Sequence, residues 1–380
     1  MNKIILIGNG FDIHNGYPTD YKSFFNWLIV EVINGKIKGD DILPNLLKIY
    51  VTPDTISGSG SDLQDTTKDE IVKRFVNSVK PTQKLSFDIV IGRNKYQVRV
   101  KTIGSLLMEL INPRSINRWV DIEMVYYTLL KSLLPTDRNN YERKSVENKV
   151  DDLNHQLGIV RSMLCKYLSE ITGRGKSIDG PFRNSIEEPI QPDFIQDRKS
   201  KKLINDWMPN AKKDYFEGTV VSVNFNYTGI NRKIYSSFNP VFIDIHGSIN
   251  SHWNPPVFGY GDEVDPVYHE MESTDINAFL DNAKSFAYLS NGNLAQLTTY
   301  LDEPFVVYIW GHSCGLSDRT LLNYIFEHEN CLYIKPYYWE REDGTDNYKE
   351  MTLNISRHFT DKKKMRLRVL NKTLCQPLGT

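Results

Sequence analysis

Cysteine is scarce and scattered in this chain of 380 residues. The four, Cys165, Cys314, Cys331 and Cys375, form no C-x-x-C pair. Neither a structural zinc site nor a disulfide framework is supported, no metal is expected, and reduced thiols fit a cytosolic protein best. No apolar run approaches the ~20 residues that span a bilayer. The first residues enter a strand pattern without the basic segment and cleavage site of a signal peptide, so a soluble, cytoplasmic protein is expected. The net charge is only -1, which leaves no global field to draw the chain onto nucleic acid or an anionic membrane. No internal repeat is visible. By contrast, aromatic residues make up 12% of the chain and hydrophobic residues 40%. Those contents support a sizeable, aromatic-rich core and argue against disorder.

The most informative stretch is Met1 to Asp20. Lys3-Ile4-Ile5-Leu6-Ile7 is a short apolar run of the kind buried on both faces of a parallel sheet. It stops at Gly8-Asn9-Gly10-Phe11-Asp12, with Gly16 and Tyr17-Pro18-Thr19 beyond, and Tyr21, Phe24, Phe25, Leu28 and Val32 then fall at helical spacing. Strand, glycine turn, helix is how a doubly wound sheet brings backbone N–H groups to a phosphate. Glycine permits positive φ there and removes the Cβ that would stand between backbone and ligand. The spacing is not the G-x-G-x-x-G of dehydrogenases, so hydride transfer is not indicated. A turn that merely closes the strand is the plainer alternative.

Farther along, Pro53 to Thr67 reads as a polar loop and Leu85 to Val100 as a hairpin turning at Gly92-Arg93-Asn94. Trp119-Val120-Asp121-Ile122-Glu123-Met124 alternates, and as a strand or extended entry it would set Asp121, Glu123 and the tryptophan on one face, toward a ligand or solvent. Apolar residues recur every three or four positions from Val146 to Leu168, a long amphipathic helix, and Gly173 to Asp193 ends the helical block. The sheet pattern returns at Thr219–Val223, Pro240–Ile245 and Pro304–Trp310, with a helix near Arg319–His328 and a last strand near Cys331–Ile334. The expected fold is therefore α/β, a doubly wound Rossmann-like parallel sheet with a large, mainly helical insertion. Residues 1–34 and 216–338 form its core, 35–215 the insertion, and 339–380 a charged tail without a readable pattern.

The chemistry collects at strand ends. Asn226 follows one strand and offers donor and acceptor on a single amide, suited to orienting a water and a hydroxyl together, although an Asx-turn would also explain it. His246, in His246-Gly247-Ser248, can take a proton near neutral pH or simply cap its strand. Gly311-His312-Ser313-Cys314-Gly315 is literally the G-x-S-x-G of a hydrolase elbow, with Asp318 and His328 or His358 as partners for a Ser313 nucleophile. It lies late in the chain for that fold, which favours a ligand-contacting turn with Asp318 as a helix cap. Gly259–Glu263 is an acidic loop able to close over a ligand.

Taken together, IGNGFDIHNGYPTDYKSFF, WVDIE, VNFNYT, IHGS with FGYGDE, and IWGHSCGLSD resemble the AbiH family of bacterial abortive-infection proteins, in order from Met1 to about His328. More distantly they resemble sirtuin-type NAD-binding domains and related NAD-consuming defence enzymes. The resemblance implies a phage-defence protein that hydrolyses NAD with release of nicotinamide. It assigns Asn226 and His246 as the catalytic pair. The implied ligand set is Gly8, Asn9, Gly10, Phe11, Asp12, Tyr17, Pro18 and Thr19 in the first loop, with Gly311, His312, Ser313 and Asp318 in the late one. Asp12 departs from the small hydroxyl usual at its place, and a carboxylate suits a ribose hydroxyl better than a pyrophosphate. The cysteine zinc module of deacetylating sirtuins is absent, so deacetylation is not implied. A nucleotide sensor without turnover is the binding alternative, the Ser313 esterase the enzymatic one. NAD or a related nucleotide, a phage-derived trigger and a second copy of the chain are the expected partners.

Overall fold

The computed structural model describes residues 1–33, 47–53, 86–91, 94–102, 104–110, 119–137, 141–173, 181–207, 218–233 and 239–379. Its strands are, in chain order, β1 (Asn2–Ile7), β2 (Leu47–Pro53), β3 (Ser86–Ile91), β4 (Asn94–Thr102), β5 (Val220–Asn224), β6 (Val241–Asp244), β7 (Phe305–Trp310) and β8 (Cys331–Tyr337). The chain divides into two compact units. The first comprises Met1–Thr19, Leu168–His269 and Asn282–Thr380; the second comprises Asp20–Tyr167 and Glu270–Asp281.

The first unit is built on a five-stranded sheet of order β6-β5-β1-β7-β8, parallel throughout. Successive residues of β1 and β7, all buried, face opposite sides of the sheet. Ile4, Leu6, Phe305, Val307 and Ile309 enter one core with Leu297, Leu322, Ile325 and Ile355 from helices Asn293–Leu301, Arg319–Glu327 and Tyr348–Arg357. Ile5, Ile7, Val306, Tyr308 and Trp310 enter another with Phe182 and Ile186 of helix Pro181–Glu187. Both faces are covered, which is why these strands read as continuous apolar runs. From β1 the chain proceeds to β5 and β6 on one side, then returns to β7 on the other. The switch point between β1 and β7 is where such sheets bind ligands.

One residue of the first apolar run is not apolar. Lys3 is fully buried, and its Nζ donates to the carbonyls of Ser185 (3.1 Å), Ile186 (2.7 Å) and Glu188 (2.6 Å) at the end of helix Pro181–Glu187. A cation there satisfies carbonyls the helix cannot. Burial lowers the ammonium to about 7, against the pull of Glu188. The tail read as featureless holds helices Tyr348–Arg357 and Lys362–Arg368 and completes the first core.

In the second unit β3 and β4 pair antiparallel, as the hairpin reading requires, and β2 joins them in the order β2-β4-β3. That third strand was not foreseen. Residues 54–67 of the expected loop and 92–93 of the hairpin turn lie outside the described residues. The long helix spans Arg143–Thr172. Trp119–Ser132 is helical from its first residue, so the expected strand-like face does not exist: successive residues turn by about 100°, and Asp121 points away from Glu123. Ile122, Tyr126, Tyr127 and Leu130 are buried, and Tyr126 Oη donates to Asn154 Oδ1 at 2.6 Å. Helices Pro181–Glu187 and Arg198–Trp207, both in the first unit, extend the helical content past the expected break.

Lys3→Met should lower stability by about 1–3 kcal/mol in urea unfolding, because three buried helix-end carbonyls lose their donor. An unchanged midpoint would show that those carbonyls have another donor.

Candidate functional site

Two glycine loops close on each other at the switch point. Gly8 N–H donates to Trp310 O (3.0 Å) and Gly10 N–H to Gly311 O (2.9 Å). A Cβ built on Gly8 would stand 2.3 Å from His312 Cα, and one on Gly311, whose φ is 65°, would stand 2.1 Å from Phe11 N. The missing side chains admit neighbouring backbone. Those two amides are therefore engaged within the protein, not presented to a phosphate as the glycine spacing suggested. Beyond Gly8 the chain enters helix Asn9–His14 at once, where a turn alone was expected. Phe11 is buried in ring contact with Phe182 and Trp310. Asn9 Oδ1 accepts from Thr19 Oγ1 at 2.5 Å, Lys233 Nζ donates to Tyr17 Oη at 2.9 Å, and Pro18 is exposed.

Asp12, on that helix, is 1% exposed. Thr228 Oγ1 donates to its Oδ2 at 2.6 Å, while Oδ1 has no hydrogen-bond partner among the described residues. Burial raises this carboxyl to about 7, against the Thr228 hydroxyl, the Asn226 amide and Lys233. Asn226 Nδ2 donates to Gly8 O at 3.1 Å. The Asx-turn suspected of Asn226 belongs to Asn224, whose Oδ1 accepts from Asn226 N–H at 3.1 Å and whose Nδ2 donates to Thr228 O and Asp244 Oδ1. Asn224 thus holds the loop and leaves the Asn226 side chain for Gly8.

His246 follows β6. Its ring lies 4.9 Å from that of Phe225, which in turn lies 4.2 Å from the His312 ring. His246 Nε2 is 3.0 Å from Tyr288 Oη and 3.2 Å from Asp318 Oδ1. His312 Nε2 is 3.5 Å from Asp318 Oδ2, and Lys284 Nζ is 2.7 Å from Oδ1. Asp318 therefore collects two imidazoles and a buried ammonium. It is not a side-chain helix cap: helix Arg319–Glu327 starts without one. Burial alone would raise this carboxyl, but the Lys284 charge and the two histidines outweigh it and hold it well below the usual range. Burial, then Lys284, lowers His246 to about 4 despite Asp318, so the imidazole is neutral. Among the described residues no cluster of His, Cys, Asp and Glu has the arrangement of a metal site.

The late loop lacks elbow geometry. Positive φ falls on Cys314 (50°) and Gly311, not on Ser313, and residues 311–318 separate β7 from the next α-helix. Ser313 is held through its carbonyl, which accepts from Asn354 Nδ2 at 2.9 Å, and His358 Nε2 donates to Cys314 O at 2.8 Å. Cys314 is buried, and burial pushes its thiol up, out of reach of a thiolate nucleophile. The acidic loop is pinned as well. Tyr260 exchanges backbone bonds with Asn282 and Lys284, Gly261 O accepts from Thr320 N–H, and Asp262 pairs with Arg319 at 3.4 Å.

Of the residues singled out from sequence, the structure brings together Gly8, Gly10, Gly311, His312, Asn226, Asp12, His246 and Asp318. Asn224, Phe225, Thr228, Lys284 and Tyr288 belong to the same constellation and were missed. Thr228 and Phe225 flank Asn226 in one segment and were open to notice. Lys284 and Tyr288 sit in no motif.

A parallel sheet of this order, with polar side chains gathered beyond the carboxyl ends of β1, β5, β6 and β7, defines a doubly wound, Rossmann-like α/β protein. The family model for bacteriophage abortive infection AbiH matches residues 4–338, and the chain belongs to that family. No curated protein matches the chain, and no solved structure does. Among the described residues, no helix is long and apolar enough to cross a membrane.

Gly311→Ala should cost at least about 2 kcal/mol in denaturant unfolding, since it adds a Cβ to crowded backbone at positive φ. Native stability in that variant would show that the loops separate freely. Burial lowers His358 to about 4, as it does His246. Between pH 6.5 and 4 the unfolded chain takes up protons that these folded imidazoles refuse, so this contribution to stability is lost as pH falls through that window. Replacing both with Gln should shrink the loss of Tm between pH 6.5 and 4 relative to the parent protein, measured by thermal unfolding.

Proposed function

We propose that this AbiH protein acts in phage defence by hydrolysing NAD or a closely related nucleotide at the carboxyl edge of β1, β5, β6 and β7. Water adds to the anomeric carbon of the nicotinamide ribose, the carbon–nitrogen bond breaks, nicotinamide leaves as a neutral base, and the water gives up a proton. The demand is for positioning and for stabilising positive charge on the sugar, not for a strong acid. The observation that carries this reading is the adjacency of Asn226 and His246 around Phe225: the Asn226 amide is tied to Gly8 O, and the neutral His246 ring packs on Phe225.

Asn226 serves to orient the ribose and the attacking water, and His246 to accept the proton. Asp12 supports the ribose end. A buried carboxyl with one oxygen unpartnered among the described residues suits a sugar hydroxyl, and as a carboxylate it favours positive charge developing on the ring. The reading rests on the ribose end of the ligand, because the Gly8 and Gly10 amides are already bonded within the protein. Loss of the NAD pool in an infected cell would then halt phage production.

Purified protein incubated with NAD should release nicotinamide, detected by chromatography. Asn226→Ala and His246→Ala should each lower the rate by at least about 100-fold. NAD binding with no release, in the presence of phage lysate as well as in its absence, would instead establish the sensor reading.

A further inference from the structure

Asp318 and Lys284 lie outside the pair read as catalytic, yet they sit against one member of it. Cys314 N–H donates to His312 Nδ1 at 3.1 Å, so Nδ1 bears the lone pair and the ring proton sits on Nε2. That Nε2 faces Asp318 Oδ2 at 3.5 Å. His246 turns its own Nε2 to the other oxygen of the same carboxylate, at 3.2 Å. An ionised carboxylate only accepts, and two lone pairs at that distance would repel, so His246 also carries its proton on Nε2. Its Nδ1 is left with the lone pair. Tyr288 Oη, 3.0 Å from Nε2, shares the same ring proton as an acceptor.

Lys284 completes the device. Its ammonium is 1% exposed and reaches Asp318 Oδ1 at 2.7 Å. A carboxylate among two imidazoles with no other counter-charge would draw a second proton onto one of them. With Lys284 present the carboxylate is already paired, and the His246 ring stays neutral. The charged and titratable groups that face His246 are Lys284, Asp318, His312 and the Tyr288 hydroxyl.

We infer that Asp318, held ionised by Lys284, is a positioning residue that fixes His246 as the Nε2–H tautomer, so that Nδ1 is the nitrogen that takes the proton in the reaction. This rests on reading His246 as the reactive imidazole, but its decisive measurement is independent of turnover. Oriented by an aspartate, an imidazole keeps its basic nitrogen toward the reacting group without itself being charged beforehand.

The test uses the full-length chain with 15N-labelled histidine rings and long-range nitrogen–proton correlation spectra, His246 and His312 being assigned by His246→Gln and His312→Gln. In the parent protein the His246 ring should show a protonated Nε2 and a bare Nδ1 from pH 5.5 to 8. Lys284→Met keeps the aliphatic stem and removes the charge; it should move the His246 titration up by at least about one pH unit. Asp318→Asn should populate the Nδ1–H form of His246. If Asp318→Asn does not fold, the parent spectrum and the Lys284→Met titration decide alone. A proton on Nδ1 of His246 in the parent, or a Lys284→Met titration identical to the parent's, would overturn the inference. Expected ring signals with no nicotinamide release would instead overturn the hydrolysis reading and leave the tautomer assignment standing.

Discussion

The backbone seam between the loops after β1 and β7 is the constraint on which the site depends. Gly8, Gly10 and Gly311 approach so closely that a single Cβ at two of these positions would lie about as near to a neighbouring backbone atom as 2.3 Å or less. In a doubly wound sheet the two loops flanking the switch point usually diverge and leave a crevice. Here they are stitched by two backbone hydrogen bonds. The stitching fixes His312 behind Gly311 and gives Asn226 a carbonyl to hold. Helix Tyr348–Arg357 secures the other end of the late loop through Asn354, and His358 just beyond it holds the same loop. Side chains from distant parts of the sequence meet because the loops that carry them cannot move apart.

The fold was largely legible in the sequence, for a physical reason. Strands buried on both faces must be largely apolar, so β1, β5 and β7 announce themselves without alternation. Trp119–Met124 deceived because alternation over six residues satisfies a strand pattern. Ile122, Tyr126, Tyr127 and Leu130 carry the helical period that packing rewards, and tertiary burial decides between the two. Lys3 was read as one more member of an apolar run. Nothing local indicates that its ammonium will find three carbonyls on a helix more than 180 residues away.

The site was legible only in part. Residues at strand ends could be named because topology alone sends them to one edge. Their roles could not, since roles depend on partners. Asp318 looks like a helix cap in sequence, immediately before a helix, and only the arrival of His246, His312 and Lys284 shows its side chain to be otherwise engaged. Glycine spacing likewise points to close approach but not to what approaches. In this chain it is backbone at Gly8 and Gly311. Lys284 had no signal at all: a single lysine before Ser-Phe-Ala is indistinguishable from a solvated one until its burial is known.

Two buried ion clusters serve the same sheet, and comparing them separates architecture from chemistry. At one, Lys3 spends its donors on three carbonyls, while Lys335 reaches both oxygens of Glu188 at 3.0 Å. Its bonds run outward to a helix end, as expected of a cluster that anchors that helix. At the other, Asp318 is likewise saturated, by Lys284, His246 and His312. Nδ1 of His312 accepts from Cys314 N–H, whereas among the described residues Nδ1 of His246 has no such donor, and neither has Asp12 Oδ1. Desolvation is costly in both places and is offset by pairing. The difference lies in what pairing leaves over. Under the proposed function, what is left over is Nδ1 of His246, at the edge of the sheet where such folds admit ligands.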